Sequence, residues 1–151
     1  MSLRDKLLAN PPLASEPFTL SDGTKLVFKD MPGTERSAWF KANEEHKETC
    51  PKKLDAEGKV VLIKVKNAKG KDVDEPSLEP SKTDGLTQDV FVRDTLIIRT
   101  ACDPETGSRV FLPEDVGTFE SWGGADVEGM WQVALKVTGL RRDDVEEAAK
   151  N

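Results

Sequence analysis

The chain has 151 residues, of which 36% are hydrophobic and 33% are charged, and its formal net charge is −6 at pH 7. This length predicts one domain over residues 1–151. The acidic balance argues against a nucleic-acid binder, and no apolar run approaches the ~20 residues that span a bilayer. Because Cys50 and Cys102 are the only cysteines, we expect no disulfide framework and a reducing compartment such as a cytoplasm.

The N-terminal part predicts a short helix followed by a β-hairpin. Ser2 and Asp5 form a capping pattern for a helix that a proline pair ends. Within residues 16–31, apolar and polar side chains alternate on both sides of Asp22-Gly23, a favoured pair for a primed two-residue turn. We therefore expect two antiparallel strands here.

A helix is predicted next, with Thr34 as its N-cap and Cys50-Pro51 at its end. Its expected apolar stripe consists of Ala38, Trp39 and Ala42. The single histidine, His46, would then be exposed at the polar end of this helix.

The middle of the chain predicts one strand and one loop. Residues 59–66 are β-rich, with lysines on the face opposite their valines and isoleucine, which suits an edge strand added to the hairpin. Residues 67–85 combine two prolines and two glycines with little periodicity. This composition is typical of a long mobile loop.

Three helices are predicted in the remainder. The first is buried and starts at Thr83-Asp84, the second starts at Pro113, and the third is capped by Asp126 and ends at Gly139. Residues 141–151 form a polar tail. The fold class is therefore α+β, mostly helical, with an N-terminal β-hairpin and one further edge strand. The predicted core consists of Phe18, Leu20, Leu26, Phe28, Trp39, Val90, Ile97, Phe111, Val116, Phe119, Trp131 and Val137.

An acidic stretch over residues 101–116 raises the question of a calcium site. Three carboxylates fall at positions one, three and twelve of a calcium-binding loop: Asp103, Glu105 and Glu114. However, Gly107 stands where a ligand is needed, and Ser108 stands where the sharp turn needs glycine. We therefore interpret residues 103–107 as a turn, which Phe111 and Leu112 anchor to the core.

The other chemical signals are weak. His46 and Cys50 have the spacing of two zinc ligands, but a closed site needs two more and only Cys102 remains. Cys102 as a nucleophile would need a base, and the chain has one histidine. The sequence thus predicts no catalytic residue, no metal and no cofactor.

The last helix and the charge distribution suggest binding instead. Val127, Met130 and Trp131 belong to an apolar stripe, which is either core or a partner-binding groove. Residues 31–71 hold ten basic against six acidic side chains, whereas residues 72–151 hold eight against eighteen. Such opposite charges favour head-to-tail self-association.

The C-terminal third resembles the tail assembly chaperones of long-tailed, siphovirus-type bacteriophages. The similarity covers residues 16–45 and 86–145, and residues 58–85 have no counterpart. The matching positions are Arg99, Ala101, Cys102, Asp103, Gly107, Val110, Phe111, Glu114, Asp115, Val116, Val127, Trp131, Val137, Gly139 and Leu140.

This resemblance implies a non-enzymatic chaperone that binds the tape measure protein and recruits tail tube subunits. It also implies a protein of the bacterial host cytoplasm that is absent from the mature virion, often with a longer form made by ribosomal frameshifting. Two alternatives stay open: a virion structural or head–tail joining protein, and a small enzyme with dispersed carboxylates.

Overall fold

A computed structural model describes residues 2–9, 13–67 and 69–140. The fold is α+β with an N-terminal β-hairpin, as the sequence predicts. In chain order the helices and strands are α1 (Leu3–Leu8), β1 (Ser15–Thr19), β2 (Lys25–Lys29), α2 (Gly33–Glu48), β3 (Leu62–Lys66), β4 (Asp72–Pro76), α3 (Gln88–Thr100), β5 (Ala101–Cys102) and α4 (Gly124–Thr138). The polar tail, residues 141–151, lies outside the described residues.

The main sheet has the strand order β1-β2-β5 and is antiparallel. The hairpin turn is longer than predicted: the Gly23 amide donates to the Leu20 carbonyl at 2.9 Å, which places Ser21 and Asp22 at the centre of the turn. The prediction of a primed turn centred on Asp22-Gly23 is therefore wrong. Gly23 instead supplies the positive φ, 91°, that closes a three-residue loop.

Helix α2 buries a different face from the one predicted. It starts after Pro32 rather than after a Thr34 cap, and Ala38 is exposed. The buried positions follow an i, i+4, i+7 spacing and are Trp39, Asn43 and His46. Two of these three side chains are polar, so hydrophobicity alone could not identify this face.

Strands β3 and β4 form a separate two-stranded sheet. Further antiparallel bridges join Lys52 to Leu78 and Leu54 to Val60, so residues 51–67 and 69–80 form one β-rich extension, which we call the arm. The strand predicted at 59–66 is confirmed for 62–66, but its partner is β4 and not the N-terminal hairpin. The loop predicted at 67–85 contains β4, so the prediction of an irregular segment is wrong there.

Helix α3 is the central buried helix, as predicted, but it starts later. Its N-cap is Thr87, whose side chain accepts from the Val90 amide, and not Thr83-Asp84. At its other end α3 passes into β5 without a linking residue, and Ala101 pairs with Phe28 of the main sheet. It is thus β5 that extends the hairpin to three strands.

The single helix predicted to start at Pro113 is wrong. The segment forms two short 3-10 turns, Pro113–Asp115 and Thr118–Ser121, interrupted by Gly117 at φ 90°. The Gly117 amide donates to the fully buried Asp94 carboxylate at 2.9 Å. Burial raises the pKa of Asp94, while the Gly117 amide and the Arg93 guanidinium at 2.9 Å favour its charged form.

Helix α4 begins at Gly124, so Asp126 is not its cap. The Asp126 carboxylate instead accepts from the Ser21 amide at 3.0 Å and the Ser21 hydroxyl at 2.6 Å, which ties the first turn of α4 to the hairpin loop. The helix ends at Gly139 with φ 67°, as predicted.

The helices and strands other than α1 and those of the arm form a unit that we call the body. The body encloses the hydrophobic core. Seven predicted core residues are buried: Leu26, Phe28, Trp39, Ile97, Phe119, Trp131 and Val137. Four pack against the core while partly exposed: Phe18, Leu20, Phe111 and Val116. The prediction is wrong for Val90, which is half-buried outside this cluster. Trp122 contacts Phe119 in an edge arrangement, with ring centroids 5.0 Å apart.

Candidate interaction surface

The three side chains predicted as partner-binding candidates lie in the core. Val127, Met130 and Trp131 are 6%, 0% and 9% exposed and point into the body from α4. They offer no surface to a partner in this structure. Their positions agree with the alternative interpretation of the stripe as core.

The arm carries aliphatic side chains on the face that points to solvent. Leu54 is bridged to Val60, and strand alternation places Leu62 on the same face as both. These three side chains are 55%, 39% and 55% exposed. Ile63 and Val65 lie on the opposite face, where Val65 is buried and Ile63 is 43% exposed. We call the face with Leu54, Val60 and Leu62 the outer face of the arm.

The inner face of the arm looks toward α2. Glu75, directly opposite Ile63 in the ladder, interacts electrostatically with Lys47 of α2. Burial lowers the pKa of Lys47, and the carboxylates of Glu75 and Glu44 oppose that shift. The arm therefore shields part of its inner face against the body and leaves the outer face uncovered.

A second apolar surface is formed by α1. Its leucines, Leu3, Leu7 and Leu8, are all largely exposed, and the helix buries none of its residues. A capping box between Ser2 and Asp5 satisfies its first turn. Because isolated helices of six residues are marginal in water, packing of these leucines against a partner would stabilise α1.

The fold partly cancels the charge segregation along the sequence. In the β3–β4 ladder, Lys64 lies opposite Asp74 and Lys66 lies opposite Asp72. Opposite charges at such positions stabilise the pairing and neutralise each other locally. Two lysines of the basic segment therefore face carboxylates of β4, which weakens the expectation of head-to-tail self-association by charge alone.

His46 is buried, so the prediction of an exposed histidine is wrong. Its Nδ1 lies 2.6 Å from Gln88 Oε1, and its Nε2 lies 3.1 Å from the Asp84 carboxylate. Its ring stacks on Phe91, with centroids 3.9 Å apart and planes 8° apart. Cys50 lies close by, with Sγ 3.7 Å from Nδ1. The His-x3-Cys spacing thus does bring both side chains together.

Cys50, His46 and Asp84 are the residue types of a nucleophile, its base and an orienting carboxylate. Their environment, however, does not activate the thiol. Burial raises the pKa of the Cys50 thiol, and the negative charge of Asp84 raises it further, so the reactive thiolate is disfavoured. The closest partner of Nδ1 is Gln88 and not the thiol. In residues 2–9, 13–67 and 69–140, no group of three or more His, Cys, Asp or Glu is placed to hold a metal ion.

Cys102 lies away from this cluster, in β5. It pairs with Val27 and is bridged to Arg109, and burial raises the pKa of its thiol while Lys29 opposes the shift. From the sequence, Cys102 was a candidate for a further metal ligand and for a nucleophile. The structure does not bring it to His46.

The acidic stretch forms a turn, as predicted. The Asp103 carboxylate accepts from the Glu105 amide at 2.7 Å, and the Gly107 amide donates back to the Asp103 carbonyl at 2.8 Å. Gly107 has φ 74°, the positive value that the turn needs. Phe111 packs on the core, but Leu112 is exposed, so its predicted anchoring role is wrong.

An open cavity of about 440 Å³ lies between this turn and the outer face of the main sheet. Its lining includes Pro17, Val27 and Pro104 together with Lys25 and Lys29. It has two cationic side chains and no carboxylate or histidine, so it offers no acid–base pair.

Sequence reasoning missed the contact of His46 with Asp84 and Gln88. The available signal was the spacing of Trp39, Asn43 and His46, which places all three on one face of a helix. Since Trp39 is the only large apolar residue of that face, hydrophobicity alone groups Trp39 with Ala38 and Ala42 rather than with Asn43 and His46.

No helix in the described part of the chain is long and apolar enough to cross a membrane. Comparison of the chain with protein-family models, with curated proteins and with solved structures gave no match.

Proposed function

We propose that this chain is a non-enzymatic tail assembly chaperone of a long-tailed bacteriophage, which binds the tape measure protein and recruits tail tube subunits. The proposal starts from the resemblance of residues 16–45 and 86–145 to that family. In this role the protein acts in the bacterial host cytoplasm and is absent from the mature virion. Self-association and a longer frameshifted form belong to the same proposal.

One structural observation supports it most: the outer face of the arm exposes Leu54, Val60 and Leu62. A chaperone must offer apolar surface to its client while remaining folded, and exposed apolar patches mark such contact sites. Because these side chains contribute little to the core, they are free to be buried by a client. The arm can therefore bind without any opening of the body.

The buried cluster around His46 has a structural role in the fold. Its thiol, Cys50, has a raised pKa and is buried. Its carboxylate, Asp84, also accepts from the Leu86 amide at 2.9 Å, so the group has a structural partner in the turn. These contacts argue against a cysteine nucleophile at this cluster.

The test is co-expression of this chain with the tape measure protein of the same genome, followed by pull-down and sizing. We expect a soluble complex with the unsubstituted chain. The double variant Leu54→Ser/Leu62→Ser removes two exposed leucines, each worth about 1.5–3 kcal/mol when fully buried, so client recovery should fall at least tenfold. The matched control is Leu112→Ser, which changes an equally exposed leucine of the body.

Recovery with the control should equal that of the unsubstituted chain, and circular dichroism should be the same for all three. If the double variant still recovers the client, the outer face of the arm is not the binding surface. If the unsubstituted chain recovers none, the chaperone proposal fails.

The virion structural or head–tail joining role predicts a different location. Mass spectrometry of purified particles distinguishes the two roles: a chaperone is lost before maturation, whereas a joining protein is present in fixed copy number. Detection of this chain in particles would replace the proposed function with that alternative.

A further inference from the structure

The cavity on the outer face of the main sheet has a lysine at each end. Lys25 and Lys29 lie on β2, and Val27 lies between them on the same face of the strand. Residues four apart on a strand are separated by about 13 Å along it, so the two lysines flank an apolar centre. Pro17, directly opposite Val27 in the ladder, and Pro104 of the turn complete this centre. We call this site the two-lysine cavity.

The positive charge of the two-lysine cavity is not neutralised within the described part of the chain. Neither Lys25 nor Lys29 forms an ion pair there, and no described residue that lines the cavity is acidic. The adjoining turn has two carboxylates outside this lining. That of Asp103 accepts from the Glu105 amide at 2.7 Å, and Glu105 is exposed. The site therefore presents two unpaired cations beside an apolar surface.

The turn over residues 103–107 positions one of these cations. Lys29 Nζ lies 3.4 Å from the Gly107 carbonyl oxygen, and a Cβ added at Gly107 would lie 2.9 Å from the same nitrogen. The glycine thus allows the turn to approach the ammonium group closely. Lys29 is half-buried, whereas Lys25 is exposed. Because Lys29 is already placed by this contact, it loses less conformational entropy when it binds a ligand.

The edge of the sheet limits how a ligand can bind here. β1 is an edge strand of the main sheet, and Pro17 in its middle has no amide N–H to donate to a further strand. The ligand must therefore lie on the face of the sheet and be recognised by side chains. An extended segment that crosses Val27 can bring one carboxylate to each lysine, since its own residues four apart also span about 13 Å.

The lining favours carboxylates over a nucleic acid. Single-stranded nucleic acids bind where aromatic side chains offer stacking surfaces within a cationic groove. The one aromatic residue among the described lining is Phe18, and its ring packs edge-on against Phe28 in the core, with centroids 6.1 Å apart. The net charge of −6 also opposes the approach of a polyanion. An acidic segment with apolar residues between its carboxylates fits both the charges and the surface between them.

We propose that the two-lysine cavity binds an extended acidic segment of a partner protein. The segment places one carboxylate at Lys25 and one at Lys29, and its apolar side chains cover Val27, Pro17 and Pro104. Pockets of this kind combine a mostly apolar lining with a few polar groups that fix the orientation of the ligand. The site belongs to the body and not to the arm, so the proposal does not depend on the chaperone role or on client binding by the arm.

Fluorescence anisotropy with the full chain tests this proposal. The probe is a short fluorescein-labelled peptide with two glutamates four positions apart and with valine and proline between them. We expect saturable binding that weakens as salt is added. The same peptide with glutamine at both acidic positions should bind about tenfold more weakly, the size of two partly exposed ion pairs.

Substitution of both lysines should have the same effect as removal of both carboxylates. Lys25→Gln/Lys29→Gln is expected to bind the acidic peptide about tenfold more weakly, with unchanged circular dichroism. The matched control is Lys41→Gln/Lys59→Gln, which removes the same charge from two exposed lysines outside the cavity. This control should bind the peptide as the unsubstituted chain does.

Amide chemical shifts locate the bound peptide without any substitution. Those of Val27 and Gly107 should change as the peptide is added, while those of β3 should stay the same. The proposal is overturned if the unsubstituted chain binds no peptide at millimolar concentration, or if both double variants bind it equally well. Displacement of the peptide by inorganic phosphate, but not by glutarate at equal ionic strength, would assign the cavity to phosphate groups and overturn it as well.

Discussion

The body and the arm differ in how much of the apolar surface of their strands is covered. In the hairpin of the body, Leu26 and Phe28 point inward, whereas Val27 between them and Lys25 and Lys29 beside them lie on the other face. In the arm, Leu54 and Leu62 point outward, and Val65 is buried on the other face. The comparison shows that alternation identifies which residues share a face, whereas the rest of the fold decides which face is covered.

The two regions also differ in what stabilises them. A core of buried apolar side chains stabilises the body, whereas the arm depends on its backbone ladder and on charge pairs across it. Since two-stranded sheets are marginal in water, we expect the arm to open locally before the body unfolds. Substitutions in the two regions should therefore differ in size and in what they affect.

The largest effect is expected from Trp131→Ala in the body. Trp131 is buried, so the truncation should lower the free energy of unfolding by about 3–5 kcal/mol, as measured by urea denaturation followed by circular dichroism. A change below about 1 kcal/mol would mean that this ring is not a core residue and that the body is organised more like the arm.

Gly129→Ala should destabilise the body although glycine is unfavourable within helices. Alanine at a helical glycine ordinarily stabilises by about 0.5–1 kcal/mol. Here an added Cβ would lie 2.6 Å from Cζ of Phe18, and overpacking of this kind costs about 1–3 kcal/mol. Thermal unfolding should thus give a lower midpoint for Gly129→Ala, and a higher midpoint would show that Phe18 moves aside freely.

Gly124→Ala is the matched control for that substitution. It lies in the same helix, and nothing would lie within 4 Å of its added Cβ. We expect this variant to be as stable as the unsubstituted chain or slightly more so.

Lys64→Asp should weaken the arm and leave the body unchanged. It places a carboxylate opposite Asp74, and like charges across a ladder cost about 0.2–1 kcal/mol. Hydrogen exchange should be faster for amides of β3 and β4 but not for those of β1. The exchanged pair Lys64→Asp/Asp74→Lys should restore slow exchange, and failure to do so would show that this charge pair does not stabilise the arm.

The smallest effect is expected from Leu62→Ala. Because this side chain is mostly exposed, its truncation should change the free energy of unfolding by no more than about 0.5 kcal/mol. A loss comparable with that of Trp131→Ala would mean that the outer face of the arm is covered by the chain itself.

Where local patterns agree with burial, the sequence was sufficient to predict the structure. Phe28 on the hairpin, Ile97 on α3 and Val137 on α4 follow strand or helix periodicity and are buried as expected. Gly139 ends α4 because its positive φ suits a helix terminus. These elements were predictable because each one buries its own apolar face.

Tertiary contacts decided the parts that the sequence did not predict. Residues 72–76 contain one β-branched residue among three acidic ones, and they form a strand by pairing with β3, where Asp72 and Asp74 lie opposite lysines. Gly117 interrupts the predicted helix because its amide donates to Asp94, 23 residues earlier in the chain. His46 is buried because Asp84 and Gln88 supply its polar partners, and neither lies on its own helix.

The placement of the aromatic rings has a consequence for spectroscopy. All three tryptophans, Trp39, Trp122 and Trp131, belong to the body, and the chain has no tyrosine. Tryptophan emission therefore reports the body alone, and a sharp fluorescence transition would leave detachment of the arm undetected. A single tryptophan placed at Leu78, on the arm and half-buried, would give the arm an optical signal of its own.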